Sequence, residues 1–313
     1  MCRRDGSDYY GRWITRGTQA RKNARLGTGL LCRKSPVVLH NSTAGFHQGA
    51  FRGNLLLRLL LFLSAAALAL GQGNYEIQTY PSETQDPGTT MIELHSNFTI
   101  EGSKGILDGV YGTEHQLHET VEITQGITDW FETGFYIFTS ANPNQGGWQW
   151  VGDHIRPRAR VPESWHWPVG VSVSLEFGYQ RYVFSPDTWT LEIRPIIDKQ
   201  IGRWYLAFNP VLDRSFHGPS VSQGVVFSPN FKAGYDITKQ VNAGLEYYGS
   251  LGPIGSFDPL YQQEQQIVPA IDLNVSPKWE FNFGVGVGVT RGTDHLLVKM
   301  IIGRRLGKTK SAN

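Results

Sequence analysis

From residue 89 to residue 306 the chain repeats one pattern: segments of about 9 to 12 residues in which apolar side chains alternate with polar or small ones, separated by turn residues. Alternation at period two puts successive side chains on opposite faces of a strand, and tilted strands of about ten residues are what the hydrocarbon core of a bilayer requires. The segment 279–289 shows it most plainly. Trp279, Phe281, Phe283, Val285, Val287 and Val289 fall on one face, with Glu280, Asn282, Gly284, Gly286 and Gly288 on the other. The pattern predicts an all-β fold, a closed antiparallel transmembrane β-barrel of about twelve strands, with ten to fourteen as the range. The expected strands are 89–101, 114–124, 130–140, 148–161, 169–182, 188–199, 203–215, 225–236, 241–251, 265–275, 278–290 and 295–306.

A soluble sandwich or lipocalin-like barrel shares the alternation but must hold its apolar set inside. Val169, Val171, Val173, Leu175, Phe177 and Tyr179, with Trp189, Leu191, Ile193 and Ile197 on the next segment and Trp204, Leu206 and Phe208 on the third, would overfill a small interior. Facing lipid, they need no interior volume.

Ahead of the barrel, residues 54–70 form an apolar run behind Arg52, interrupted by Arg58 and ending in Ala67-Leu68-Ala69. That is the form of a secretory signal peptide, with Ala67, Ala69 and Gly71 marking the cleavage region, rather than a transmembrane helix, because the unbroken apolar part is only about 12 residues. The expected organisation is a basic leader extension over 1–53, from a mispredicted start or a disordered arm; the signal region over 54–71; a periplasmic N-terminal segment over 72–88; the barrel over 89–306; and a polar tail over 307–313.

Setting the leader aside reverses the charge argument. Through Arg58 there are 11 Lys and Arg against 2 Asp and Glu, so of the whole chain's 29 and 27 the remainder holds 18 against 25, a net of −7. The overall basic balance therefore gives no support to a nucleic-acid partner. Both cysteines, Cys2 and Cys32, also lie in the leader, which leaves the barrel without disulfide or thiol chemistry.

The connections alternate in length, as in bacterial outer-membrane barrels with short periplasmic turns and longer external loops. Gly126-Ile-Thr-Asp129, 200–202, 237–240 and 276–277 are short; 102–113, 141–147, 216–224 and 252–264 are longer. Tryptophan follows the same division. Trp130, Trp165, Trp167, Trp204 and Trp279 adjoin connections assigned to the periplasmic rim, while Trp148, Trp150 and Trp189 adjoin the opposite rim, the expected two aromatic girdles. Pro157, Pro195, Pro210, Pro229 and Pro269 fall inside expected strands, where each removes a ladder donor, so bulges and local kinks are expected there.

The inward face collects charge of both signs. Arg156, Arg158 and Arg160 alternate in one strand, with Glu176, Glu192, Arg194, Lys232, Glu246, Asp272 and Lys299 further round. Unpaired charge is costly in a partly desolvated lumen, so these lumen-lining candidates are expected to form a ladder of ion pairs and hydrogen bonds. Such a ladder either sets the field of a conducting pore or fills a closed interior.

Catalytic signatures are sparse. His115, His118 and Glu119 lack the HExxH spacing and do not share one strand face, so no metal site is assigned from them. Gly284-Val-Gly-Val-Gly288 lies within a strand with no helix after it, no GxSxG occurs, and no cofactor is implied. His154, His217 and His295 near the rims keep an outer-membrane acyl hydrolase open as one alternative, and a closed structural or adhesive barrel is the other.

The stretch from about residue 115 to 306 resembles bacterial outer-membrane barrels of the transporter or phenol-degradation meta-pathway type. The resemblance is carried by Glu122-Ile-Thr-Gln-Gly-Ile-Thr-Asp129, Leu191-Glu-Ile-Arg-Pro195, Asn209-Pro210 and Gly244-Leu-Glu-Tyr-Tyr-Gly249. It implies a passive channel in the outer membrane of a Gram-negative-type bacterium, passing small molecules of the aromatic or otherwise small apolar class. The implied partners are outer-membrane lipid and the barrel-assembly machinery. Outer-membrane barrels of this kind commonly end on an aromatic residue; here Leu306 closes the last expected strand.

Overall fold

The computed structural model describes residues 74–307, so the leader, the signal region and the cleavage residues Ala67, Ala69 and Gly71 lie outside the described residues. Twelve long strands form the barrel: β1 (Thr90–Glu101), β4 (Leu117–Thr128), β5 (Phe131–Asn142), β6 (Gly147–Arg160), β7 (Gly170–Gln180), β8 (Trp189–Ile201), β9 (Trp204–His217), β10 (Val225–Asp236), β11 (Val241–Ser250), β12 (Glu264–Ser276), β13 (Trp279–Gly288) and β14 (Leu296–Leu306). A small hairpin, β2 (Ile106–Leu107) and β3 (Val110–Tyr111), sits in the first long loop. Each barrel strand pairs antiparallel with its sequence neighbours, and β1 closes the barrel by pairing with both β4 and β14, from Thr90 opposite Leu306 to Glu101 opposite Leu296. Closure gives every strand two partners and leaves no open edge, the condition for a sheet to cross a bilayer.

The outward set is the apolar one. Phe283, Val285 and Val287 of β13 are exposed, while Asn282, Gly284 and Gly286 between them face inward and are buried. One rim carries tight turns, among them Gly202-Arg203 between β8 and β9, where Gly202 takes the left-handed conformation at φ 60°. The opposite rim carries most of the longer loops, the connection 161–169 between β6 and β7 being a long one on the first rim. Trp130, Trp165, Trp167, Trp204 and Trp279 stand at the first rim, and Trp148, Trp150 and Trp189 at the second.

One strand departs from strict alternation, and two sequence expectations need correction. Strict alternation would put Trp148 and Trp150 on the same face as His154 and Arg156, since all four positions are even. The structure separates them with a bulge: Phe138 pairs with Gly152 but Thr139 with Trp150, so Val151 and Gly152 are both buried and the parity of β6 switches there. The prolines, by contrast, produce no bulge. Pairing lapses between Ile155 and Arg158 beside Pro157, between Ile193 and Ile197 beside Pro195, and between Ile267 and Ala270 beside Pro269, and each time resumes in the same register. Pro210 and Pro229 pair with one another across β9 and β10. Finally, the stretch 126–129 is not a turn as a whole, because β4 continues to Thr128 and only two residues join it to β5.

Candidate functional site in the barrel lumen

The inward side chains close around a piece of the chain itself. Residues 72–88 were expected on the periplasmic side of the barrel; the described part, from Asn74 onward, instead runs through the lumen from the long-loop rim to the short-turn rim, where β1 begins. At its upper end the Asn74 side chain donates to Asp294 in the loop between β13 and β14, at 3.0 Å, and Asn97 donates to the Asn74 carbonyl at 3.0 Å. Below, Thr120 donates to the Tyr75 carbonyl (2.7 Å) and Lys299 to that of Ile77 (2.8 Å). Asn209 brackets the peptide groups of Tyr80, accepting from its N–H at 2.8 Å and donating to its carbonyl at 3.1 Å. Arg158 donates to the carbonyls of Pro81 (3.0 Å) and Glu83 (2.6 Å), and Asp198 accepts from both the N–H and the hydroxyl of Ser82. A segment with no strand partner of its own thus has many of its backbone groups met by the barrel's inward side chains, the means by which a buried irregular backbone is satisfied.

Tyr80 is the centre of this arrangement. The guanidinium carbons of Arg194, Arg156 and Arg158 lie 4.8, 5.1 and 5.7 Å from its ring centroid, within cation–π range, and its hydroxyl stands 3.0 Å from that of Tyr136. Carboxylates balance the three arginines. Arg156 pairs with Glu122 and with Glu132 (3.3 Å), Arg158 with Glu132 (2.7 Å), and Arg194 with Glu192 (2.5 Å) and Glu76 (3.7 Å). On the other side of the lumen Lys232 bridges Glu246 (3.0 Å) and Asp272 (2.7 Å), and Glu246 also pairs with Lys299. Tyr136 and Phe138, inward on β5, pack with Tyr75, Val151 and Phe184 into a small apolar cluster beside the segment.

Of the ten lumen candidates, Arg156, Arg158, Glu176, Glu192, Arg194, Glu246 and Lys299 are buried in the interior, and Lys232 and Asp272 are half-buried there. Arg160 is not with them: it lies at the short-turn rim and pairs with the exposed Glu163 at 2.7 Å. His154 is buried rather than at a rim, with its Nδ1 2.6 Å from Glu176 and its ring edge-on to Phe138. Tyr80, Tyr136, Asn209, Asp198, Glu122 and Glu132 were not identified beforehand. The last five sit at inward positions and could have been found by parity; Tyr80 had no periodic pattern around it.

Above the segment, toward the long loops, lies a cavity of about 390 Å³. Ile77 forms part of its floor, Tyr111, Phe184, Val211 and Val226 contribute apolar wall, and charged side chains of both signs, among them Arg194, Arg214, Asp213 and Glu264, complete the lining. The arrangement can admit a small molecule from the long-loop side and stop it at the segment.

No family model matches the chain. Among solved structures, an outer membrane channel from Pseudomonas putida F1 is similar at a TM-score of 0.52 and 8% identity, over 74% of this chain and 100% of that one. The KdgM porin in complex with disordered oligogalacturonate gives a TM-score of 0.40 at 9% identity, over 70% of this chain and 99% of that one. A curated sequence, arylamine N-acetyltransferase 1 of Mesocricetus auratus, is 30% identical over 138 residues, 43% of this chain and 44% of its own length. The chain therefore spans under half of that relative. The first of these likenesses bears on the fold alone, which is the closed barrel described above.

Proposed function

We propose that this chain is an outer-membrane channel for small, largely apolar molecules, held shut by the segment that starts at Asn74. The observation that carries the reading is the pairing of a cavity open to the long-loop side with a segment that is tethered to β1 at one end and held along its length by hydrogen bonds and charged contacts, without a strand partner. Neutral hydrogen bonds such as those of Asn209 contribute about 0.5 to 1.5 kcal/mol net each and those of Arg158 and Lys299 about 1.5 to 3, so the segment is docked most of the time and its release is governed by these few contacts. The aromatic and aliphatic walls of the cavity favour an aromatic or other small apolar solute.

The test is uptake of radiolabelled toluene and of radiolabelled arabinose by porin-deficient bacteria carrying the folded barrel in their outer membrane. Faster toluene entry with little change for arabinose is the expected result. No acceleration of either solute, or acceleration of the sugar alone, would count against the reading. Hydrolysis of a chromogenic ester by the purified folded protein would instead favour an acyl hydrolase.

A further inference from the structure

On the wall opposite Arg194, three carboxylates stand in one row across four strands. Glu122 of β4 is the direct cross-strand partner of Glu93 on β1; Glu93 is opposite Gly303 on β14, and Gly303 is opposite Glu280 on β13. Like charges directly opposite in a sheet repel, and here the repulsion is not relieved evenly. Arg156 pairs with Glu122, and Arg305 pairs with Glu280 at the rim end, but no described residue forms an ion pair with Glu93, whose Oε1 is buried without a hydrogen-bond partner. Gly303 is what lets the row close up: a Cβ there would stand 2.8 Å from Glu280 Cγ and 3.1 Å from Glu93 Cγ.

Two residues along β1, on the same face, is His95. It is fully buried, its Nε2 has one long contact, 3.4 Å to Glu122 Oε2, and its Nδ1 has no hydrogen-bond partner. A neutral imidazole has one donor and one acceptor, and leaving even one of them unmet in a buried site is costly. One ligand atom each from Glu93, His95 and Glu122 lies within 4.8 Å of the other two.

We infer that Glu93, His95 and Glu122 form a binding site for a first-row divalent metal cation, with Zn²⁺ as a fitting occupant. Two carboxylates and one imidazole are a donor set such ions take, with bonds of about 2.0 to 2.2 Å that set neighbouring ligand atoms a little over 3 Å apart. The His95–Glu122 separation already has that value, and a small rotation of Glu93 supplies the third ligand. A cation there offsets the charge repulsion along the row, gives His95 a partner, and ties β1 to β4 beside the β1–β14 seam where the barrel closes. Glu122 Oε2 is also 3.4 Å from the Tyr80 hydroxyl, so the site adjoins the segment in the lumen. The inference does not depend on the transport reading.

The experiment is equilibrium dialysis of the full-length folded protein, stripped with EDTA, against ZnCl₂, with bound metal read by mass spectrometry. One tightly held ion per chain is expected, weakened at least about 100-fold in Glu93→Gln and in His95→Gln, since loss of even an outer partner of a metal ligand costs about 10- to 100-fold. A variant with the exposed His115, His166, His217 and His295 all replaced by Ala should bind as the parent does. Absence of bound zinc in the parent, or unchanged binding in folded Glu93→Gln and His95→Gln, overturns the site. If those variants do not fold, crystals of the parent soaked in ZnCl₂ decide the matter through anomalous scattering. A peak between Glu93, His95 and Glu122 supports the site; peaks only at exposed histidines refute it.

Discussion

Replacing Asn209 by Leu tests how the segment is held. Asn209 is fully buried and its amide satisfies both the N–H and the carbonyl of Tyr80, at 2.8 and 3.1 Å. Leu fills a similar volume but can make neither bond, so the docked segment would keep two buried backbone groups without partners. Two lost hydrogen bonds at about 1 kcal/mol each, with part of the desolvation penalty of about 1 to 3 kcal/mol per stranded group, destabilise the docked state by about 2 to 4 kcal/mol. At about 1.4 kcal/mol per tenfold, the equilibrium between docked and released segment shifts roughly 30- to 700-fold. The barrel itself should be little affected, because a released segment regains water for those same groups. Single-channel recording in planar bilayers reads the shift as more frequent or longer open events, while the different gel mobility of unboiled and boiled samples confirms folding. A folded variant whose recordings match the parent's would show that the Tyr80 contacts do not hold the segment in place.

Two further perturbations separate the faces of the wall. Val173→Arg and Phe283→Arg place charge among exposed apolar side chains and should each destabilise the folded barrel by roughly 2 to 4 kcal/mol in lipid if they lie near the bilayer midplane, measured by reversible unfolding in vesicles. Gly284→Ala tests the filled interior, since a Cβ there would meet Val268 Cγ1 at 2.6 Å; a loss of about 1 to 3 kcal/mol is expected, and none would mean the interior is looser than it stands. Arg158→Glu removes the donors to Pro81 and Glu83 and sets a carboxylate against Glu132. It should release the segment more than Asn209→Leu does and move the reversal potential of the opened lumen toward cations; an unchanged potential would place Arg158 outside the ion path.

The barrel was legible in the sequence because lipid and lumen impose opposite polarities on alternate residues, and 218 residues repeat that demand in every strand, from Thr89 to Leu306. The inward charges were legible for the same reason. Their partners were not. Arg158, Arg194 and Lys299 all donate to backbone carbonyls of the segment, and a carbonyl belongs to every residue alike. The segment from Asn74 to Asp86 has neither period two nor a charge pattern, so nothing in it distinguishes a docked strand of chain from a free one. The bulge at Val151 left a trace, because Trp148 and Trp150 share a parity with Arg156 that a regular strand could not reconcile with opposite faces. The group formed by Glu93, His95 and Glu122 depends on the register between β1 and β4, which the sequence of either strand alone does not specify.

The central claim is that the segment, and not the barrel wall, keeps the lumen closed. Single-channel conductance of the intact protein beside a version lacking residues 74–86, both shown to be folded by their heat-dependent gel shift, tests it most directly. The intact barrel should be closed or conduct in rare, small events, and the shortened one should conduct continuously with a larger unit step. A shortened barrel that folds and remains as closed as the parent would contradict the claim.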